Sequence, residues 1–316
     1  MKCHFTKVIA GTAVLTLMVV AVAPSVAMEA APQAIGSPIQ DREITLEYWT
    51  DDLMQQAEIS QGMEQSPAEE VITENGDLLG YAPLPAPYIS NQLSRVNGAL
   101  FYREPDGFHV HCSASVINSE SKSLIVTAAH CVMGTDNKWK ELMMFVPAYN
   151  GAAKEGERIP LGKWAVKQAF VPSSVPSGQS IDNDIAVARL HLLPPTLPIG
   201  PEESVEQKVR GGLKPRVNES ELFNIIKIAG YPGAERYSGM QQQCDSYTAV
   251  VEGTTGLFAT NCGTMSGNSG GPLVLPSSEE SSASEVVAVV HNNVSHARLR
   301  ESTFGVIYRA ADANNQ

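Results

Sequence analysis

From Val96 onward the chain is a succession of short apolar runs cut by Gly, Pro, Asn and Ser. Ser113–Ile117, Ser123–Thr127, Ile185–Leu190, Ile225–Ala229 and Val286–Val290 are each strand-length and rich in β-branched residues, with turn chemistry between them. Many short strands over residues 96–316 predict an all-β domain, either a sandwich or paired barrels. No repeat of fixed period organises them. The Ser/Glu-rich stretch from Ser277 to Ser284 predicts a solvated loop between two core strands.

Upstream the pattern changes. Residues 28–95 carry twelve acidic side chains against Arg42 and Arg95, a net charge of −10, and no cysteine. Glu43 to Ile59 is a candidate helix with a weak apolar stripe. The run Tyr81-Ala82-Pro83-Leu84-Pro85-Ala86-Pro87 has fixed φ angles and predicts an extended linker. The segment is expected to be a pro-segment removed on maturation, with a cut near Arg95-Val96; a solvated acidic spacer is the alternative. Lys2 and Lys7 precede an uncharged apolar run from Val8 to Ala23, and Ser25-Val26-Ala27 follows Pro24. Together these predict a secretory signal peptide over residues 1–27. The run is shorter than the ~18 residues of a membrane span, so no stable membrane anchor is expected. The expected destination is extracellular, or periplasmic in a Gram-negative source.

Composition sharpens this picture once it is divided by segment. The 316 residues contain 34 acidic and 22 basic side chains, a net charge of −12. That balance argues against nucleic-acid binding, because no positive excess is available to neutralise phosphates. Residues 96–316 hold only 18 basic and 22 acidic side chains, so most of the acidity belongs to 28–95 and says little about a substrate. Of five cysteines, Cys3 lies in the signal peptide, which leaves Cys112, Cys131, Cys244 and Cys262. An even set in an oxidising compartment predicts two disulfides.

Three segments carry chemistry: Thr127-Ala128-Ala129-His130-Cys131, Asp184-Ile185-Ala186-Val187 and Gly267-Asn268-Ser269-Gly270-Gly271-Pro272-Leu273. A serine hydroxyl becomes a useful nucleophile when an imidazole accepts its proton. His130 fits that base, and Asp184 fits the group that holds its tautomer and stabilises the imidazolium. Asp182 is the alternative; Asp184 is preferred because it abuts the apolar strand that would fix it. Gly267 and Gly270 permit a tight turn around Ser269. Such a turn can aim the N–H groups of Gly267 and Ser269 at a developing oxyanion.

These three segments, in this order, resemble the signatures of chymotrypsin-fold serine peptidases over approximately Val96 to Ala311. The resemblance implies two six-stranded antiparallel Greek-key β-barrels, about 96–195 and 196–316, with the active site in the cleft between them. It also implies the pairings Cys112–Cys131 and Cys244–Cys262. Within the family the chain is most similar to the V8-like, glutamyl-endopeptidase branch of secreted microbial enzymes. Asn268, uncharged, replaces the Asp that pairs with a freed N-terminus in animal digestive members. Phe145-Val146-Pro147-Ala148-Tyr149 and Gly230-Tyr231-Pro232-Gly233 are further points of likeness.

By the same resemblance, Gly263 lies at the floor of the primary specificity pocket, where cleavage after Arg or Lys would need an acid. Thr264 and His291 match positions that recognise a P1 glutamate. The expected partners are therefore protein or peptide substrates cleaved by a monomer, with no cofactor and no metal. His109 and His111 share one strand face; without a third ligand they read as a surface pair rather than a metal site. The rival reading is a non-catalytic pseudoprotease on the same fold, a class that usually lacks the His or Ser retained here.

Overall fold

The computed structural model describes residue 1 and residues 33–60, 80–195, 200–233, 237, 239–277, 283–293 and 295–313. The expected signal peptide and the centre of the Ser277–Ser284 stretch lie outside the described residues. The first elements are β1 (Ala34–Gly36), α1 (Arg42–Tyr48), α2 (Asp51–Ser60), β2 (Ala82–Pro83) and α3 (Gln92–Val96). Asp41 starts α1, its carboxylate accepting from Ile44 N at 2.9 Å, and Asn91 caps α3 in the same way through Ser94 N.

The first barrel consists of β3 (Asn97–Arg103), β4 (His109–Ile117), β5 (Leu124–Thr127), β6 (Glu141–Pro147), β7 (Trp164–Pro172) and β8 (Ala186–Leu190). Its ladder runs β7-β6-β3-β4-β5-β8, and pairing of β7 with β8 closes it. β1 adds a further antiparallel strand to β7, with Ala34 opposite Pro172 and Gly36 opposite Phe170.

The second sheet follows α4 (Val205–Lys208). It contains β9 (Lys214–Pro215), β10 (Ile226–Gly230), β11 (Gln242–Ser246), β12 (Thr248–Val250), β13 (Leu257–Ala259), β14 (Pro272–Leu275), β15 (Glu285–Asn292) and β16 (Ser295–Arg298), with α5 (Val306–Ala313) at the end. Its main ladder is β12-β13-β16-β15-β14-β10-β11-β2, a curled sheet whose end strands do not pair among the described residues. Apolar residues from both sheets fill the interior, as the run-and-turn pattern predicts, and α5 seals part of the first core with Ile307 and Ala311. The disulfides are Cys112–Cys131 and Cys244–Cys262.

Residues 33–60 are packed rather than solvated. Trp49, Met54 and Ala57 are fully buried in a cluster with Phe101, Met144, Val146, Tyr149 and Tyr231. The Pro-rich run also takes part in the fold, since Ala82 and Pro83 pair with β11. Ser94 and Val96 have no solvent exposure. No helix among the described residues is long and apolar enough to cross a membrane.

Candidate active site

His130 sits in a single 3-10 turn, Ala129–Cys131, directly after β5. The Cys112–Cys131 bridge ties that turn to β4, and Thr127 Oγ1 donates to Ser113 O at 2.9 Å across the same pair of strands. The histidine is therefore carried by rigid backbone. Asp184 enters from the loop before β8. Asn183 shapes this loop by accepting from Ser180 N at 2.8 Å and donating to Gly178 O at 3.0 Å.

Asp184 is fully buried and grips His130 twice. His130 Nδ1 lies 2.8 Å from Oδ2, and the His130 backbone N–H donates to Oδ1 at 2.9 Å. His291, on β15, places its own Nδ1 on the same Oδ2. Burial alone would raise the Asp184 pKa. The opposing influence of His130, its hydrogen bond and the bond from His291 outweighs burial and holds the carboxyl well below the usual range. Burial likewise pulls His130 down, but the Asp184 charge and hydrogen bond win and leave its pKa raised. Asp182 is engaged elsewhere, accepting from Thr255 N at 2.7 Å and from Thr255 Oγ1. The ligand atoms that His130, Asp184 and His291 could offer a metal lie within 4.8 Å of one another; the hydrogen bonds they share account for that closeness.

Ser269 lies on a turn pinned at both sides. Ser113 N donates to Ser269 O at 2.8 Å, Gly270 N to Val290 O at 2.8 Å, and Gly271 N to Asn268 O at 2.8 Å. The turn thus bridges β4 of the first barrel and β15 of the second sheet. Gly267 and Gly270 have φ of +88° and +78°, the left-handed region where glycine is needed. A Cβ on Gly270 would fall 2.0 Å from Thr127 Oγ1, so the serine turn rests against the strand that delivers His130. Cys131 Sγ is 3.7 Å from Ser269 O. Among the described residues, the N–H groups of Gly267 and Ser269 have no protein acceptor. Asn268 is fully buried beneath this turn.

Of the expected pocket residues, Gly263 is partly exposed and Thr264 is buried. Both Thr264 donors, N–H and hydroxyl, point to Asn293 O, at 2.5 and 2.7 Å. His291 keeps about a fifth of its side chain exposed, and its Nδ1 faces Asp184 rather than a pocket. His109 and His111 do not form an exposed pair: His109 Nε2 meets Tyr48 OH at 2.6 Å, and His111 is buried. Sequence reasoning missed Ser113, whose hydroxyl donates to Gly267 O and accepts from Tyr231 N, both at 2.8 Å. No local signal marks it, because its partners lie more than a hundred residues away.

Known structures agree with this architecture. The chain is similar to a thermostable serine protease AL20 from an extremophilic microorganism (20% identity, TM-score 0.59, 71% of this chain and all of the other). It is also similar to the protease Anisep from Arthrobacter nicotinovorans (23%, TM-score 0.58, 71% and 99%) and to a Glu endopeptidase (19%, TM-score 0.55, 74% and 97%). At these identities the likeness is one of fold. No curated protein matches the chain. Residues 112–281, more than half of the chain and inclusive of His130, Asp184 and Ser269, match the family described as Trypsin-like peptidase domain. The chain belongs to the trypsin-like peptidase domain family.

Proposed function

We propose that the protein is a secreted serine endopeptidase that hydrolyses peptide bonds through an acyl-enzyme formed on Ser269. The observation that carries this reading is the double grip of Asp184 on His130, beside the glycine-framed turn of Ser269. With Nδ1 donating to Asp184, neutral His130 has Nε2 as its basic nitrogen. Nε2 takes the Ser269 proton as Oγ attacks the carbonyl, then delivers it to the leaving amine. The tetrahedral oxyanion is received by the N–H groups of Gly267 and Ser269, each worth about 3–4 kcal/mol where such donors have been removed. Water repeats the sequence on the ester and releases the acid.

The P1 preference we propose is for glutamate or another non-basic residue, consistent with the V8-like branch. Gly263 offers no acid to a P1 Arg or Lys. The Thr264 hydroxyl is directed to Asn293 O, which leaves His291 Nε2 as the side-chain atom to meet a P1 carboxylate. Profiling purified enzyme on substrates that differ only at P1 tests this reading; fastest cleavage after Arg or Lys refutes it. Loss of hydrolysis in Ser269→Ala tests the chemistry separately.

A further inference from the structure

The N-terminal helices dock behind the turn that carries the oxyanion donors. His111, buried on β4, has Nδ1 3.3 Å from Ala57 O of α2 and Nε2 2.9 Å from Tyr231 O. Tyr231 N donates to Ser113 Oγ, which donates to Gly267 O. Gly233 N donates to Ser266 O at 2.7 Å. Contact between the two turns is tight: a Cβ on Gly267 would lie 2.3 Å from Tyr231 O and 2.8 Å from His111 Nε2. The position of Gly267 is therefore set by the Tyr231–Gly233 turn, and that turn is set by His111.

The same segment holds Tyr231 from a second side. The buried Glu58 carboxylate accepts from Tyr149 OH, and Tyr149 O accepts from Tyr231 OH at 2.9 Å. Further anchors are Trp49 Nε1 to Leu142 O, Lys163 Nζ to Leu46 O and Trp49 O, and Met143 N to Gln40 Oε1. None of these partners is His130, Asp184 or Ser269. A segment that blocked the cleft would contact the catalytic side chains; this one completes the wall behind them. Its loss would uncover Phe101, Met144, Val146 and Tyr149 and remove the Ala57 carbonyl from His111.

We propose that residues 33–60 are a permanent part of the working enzyme, a clamp that holds the Tyr231–Gly233 turn and, through it, Gly267 in catalytic register. This rests on the assignment of Gly267 as an oxyanion donor. His111 is then a positioning residue, and residues 33–60 remain with the active protein.

The test uses the active enzyme as it is secreted. A biotinylated fluorophosphonate labels the reactive serine, native capture follows, and mass spectrometry reads the captured peptides. Peptides from 33–60 in stoichiometric yield are expected; labelled enzyme that lacks them overturns the clamp. No labelling at all overturns the serine-peptidase reading, and the clamp with it. In the full chain, His111→Ala should lower kcat roughly tenfold to a hundredfold with little change in KM, since a misplacement near 1 Å costs about that much. His111→Gln, which retains a donor toward Tyr231 O, should recover part of the loss. An unchanged kcat in His111→Ala would also overturn the proposal. If that variant does not fold, the peptide inventory of labelled wild type decides alone.

Discussion

His291 Nδ1 and His130 Nδ1 donate to the same oxygen of Asp184, Oδ2, and their rings lie 6.2 Å apart at 71°. A buried carboxylate is thereby held by three N–H groups from both halves of the fold. In the proposed reading His291 Nε2 is the atom left for a P1 carboxylate, so His291→Ala should lower the ratio of kcat/KM for Glu over Gln at P1. The variant should also lower kcat on a neutral P1 substrate by up to about tenfold, because Asp184 loses a charge-assisted hydrogen bond. A Glu:Gln ratio unchanged in the variant would remove His291 from substrate recognition.

Asp184 sets both the tautomer and the basicity of His130. In Asp184→Asn the amide cannot fix the required tautomer, and in a well-studied triad this change costs about 10⁴ in kcat. The pH profile adds a sign. His130 must be neutral to act as base, and Asp184 raises its pKa, so the acid limb of kcat/KM should sit above the ordinary histidine value. In the Asn variant this limb should move to lower pH. A limb that stays in place would mean that another group governs it.

His296 makes the fold acid-sensitive. It is fully buried on β16, and neither ring nitrogen has a partner among the described residues. Burial, with a smaller contribution from His291, lowers its pKa to about 3. Between the unfolded value near 6.5 and that folded value, the unfolded chain binds the extra proton, so stability falls as pH falls. The loss from pH 6.5 to pH 5 is about 2 kcal/mol at 1.36 kcal/mol per unit. His130, with a raised pKa, contributes in the opposite direction, so the difference between wild type and His296→Leu isolates the effect. Urea melts at pH 7 and pH 5 should show a smaller pH-dependent loss for the variant; equal losses would contradict the assignment.

Gly270→Ala tests the serine turn. The new methyl would meet Thr127 Oγ1 and Ser113 O at 2.0 and 2.4 Å, on a backbone with φ of +78°. Strain of this kind costs of order 1–3 kcal/mol before the clash is counted. The variant should melt several degrees lower and lose most of its activity. Wild-type stability and kcat together would show that the turn is not held as described.

The three segments proposed to carry the chemistry are legible in the sequence because their signals are local. His130, Asp184 and Ser269 each lie in a short segment whose neighbours, Cys131, Ile185 and Gly270, reveal the backbone that holds them. Asp184 abuts an apolar strand and meets His130 Nδ1, whereas Asp182 accepts from Thr255. Residues 33–60 were harder to read. Trp49, Met54 and Ala57 straddle two short helices, so no single stripe announces a buried face, and the surrounding acids obscure it. Glu58 counts as one more surface charge in the sequence, yet it is buried against Tyr149. His109 and His111 look like surface residues in the sequence because the helices that cover them lie more than fifty residues upstream. The bond of His291 to Asp184 spans 107 positions, so no local pattern discloses it.

Ser269, served by His130 and Asp184, is proposed as the nucleophile of a peptidase, and active-site titration with a fluorophosphonate followed by peptide mapping decides it. One equivalent of adduct on Ser269 is expected, with hydrolysis extinguished in proportion to labelling and neither labelling nor hydrolysis in Ser269→Ala. Hydrolysis that survives full labelling, or an adduct on another residue, would contradict it.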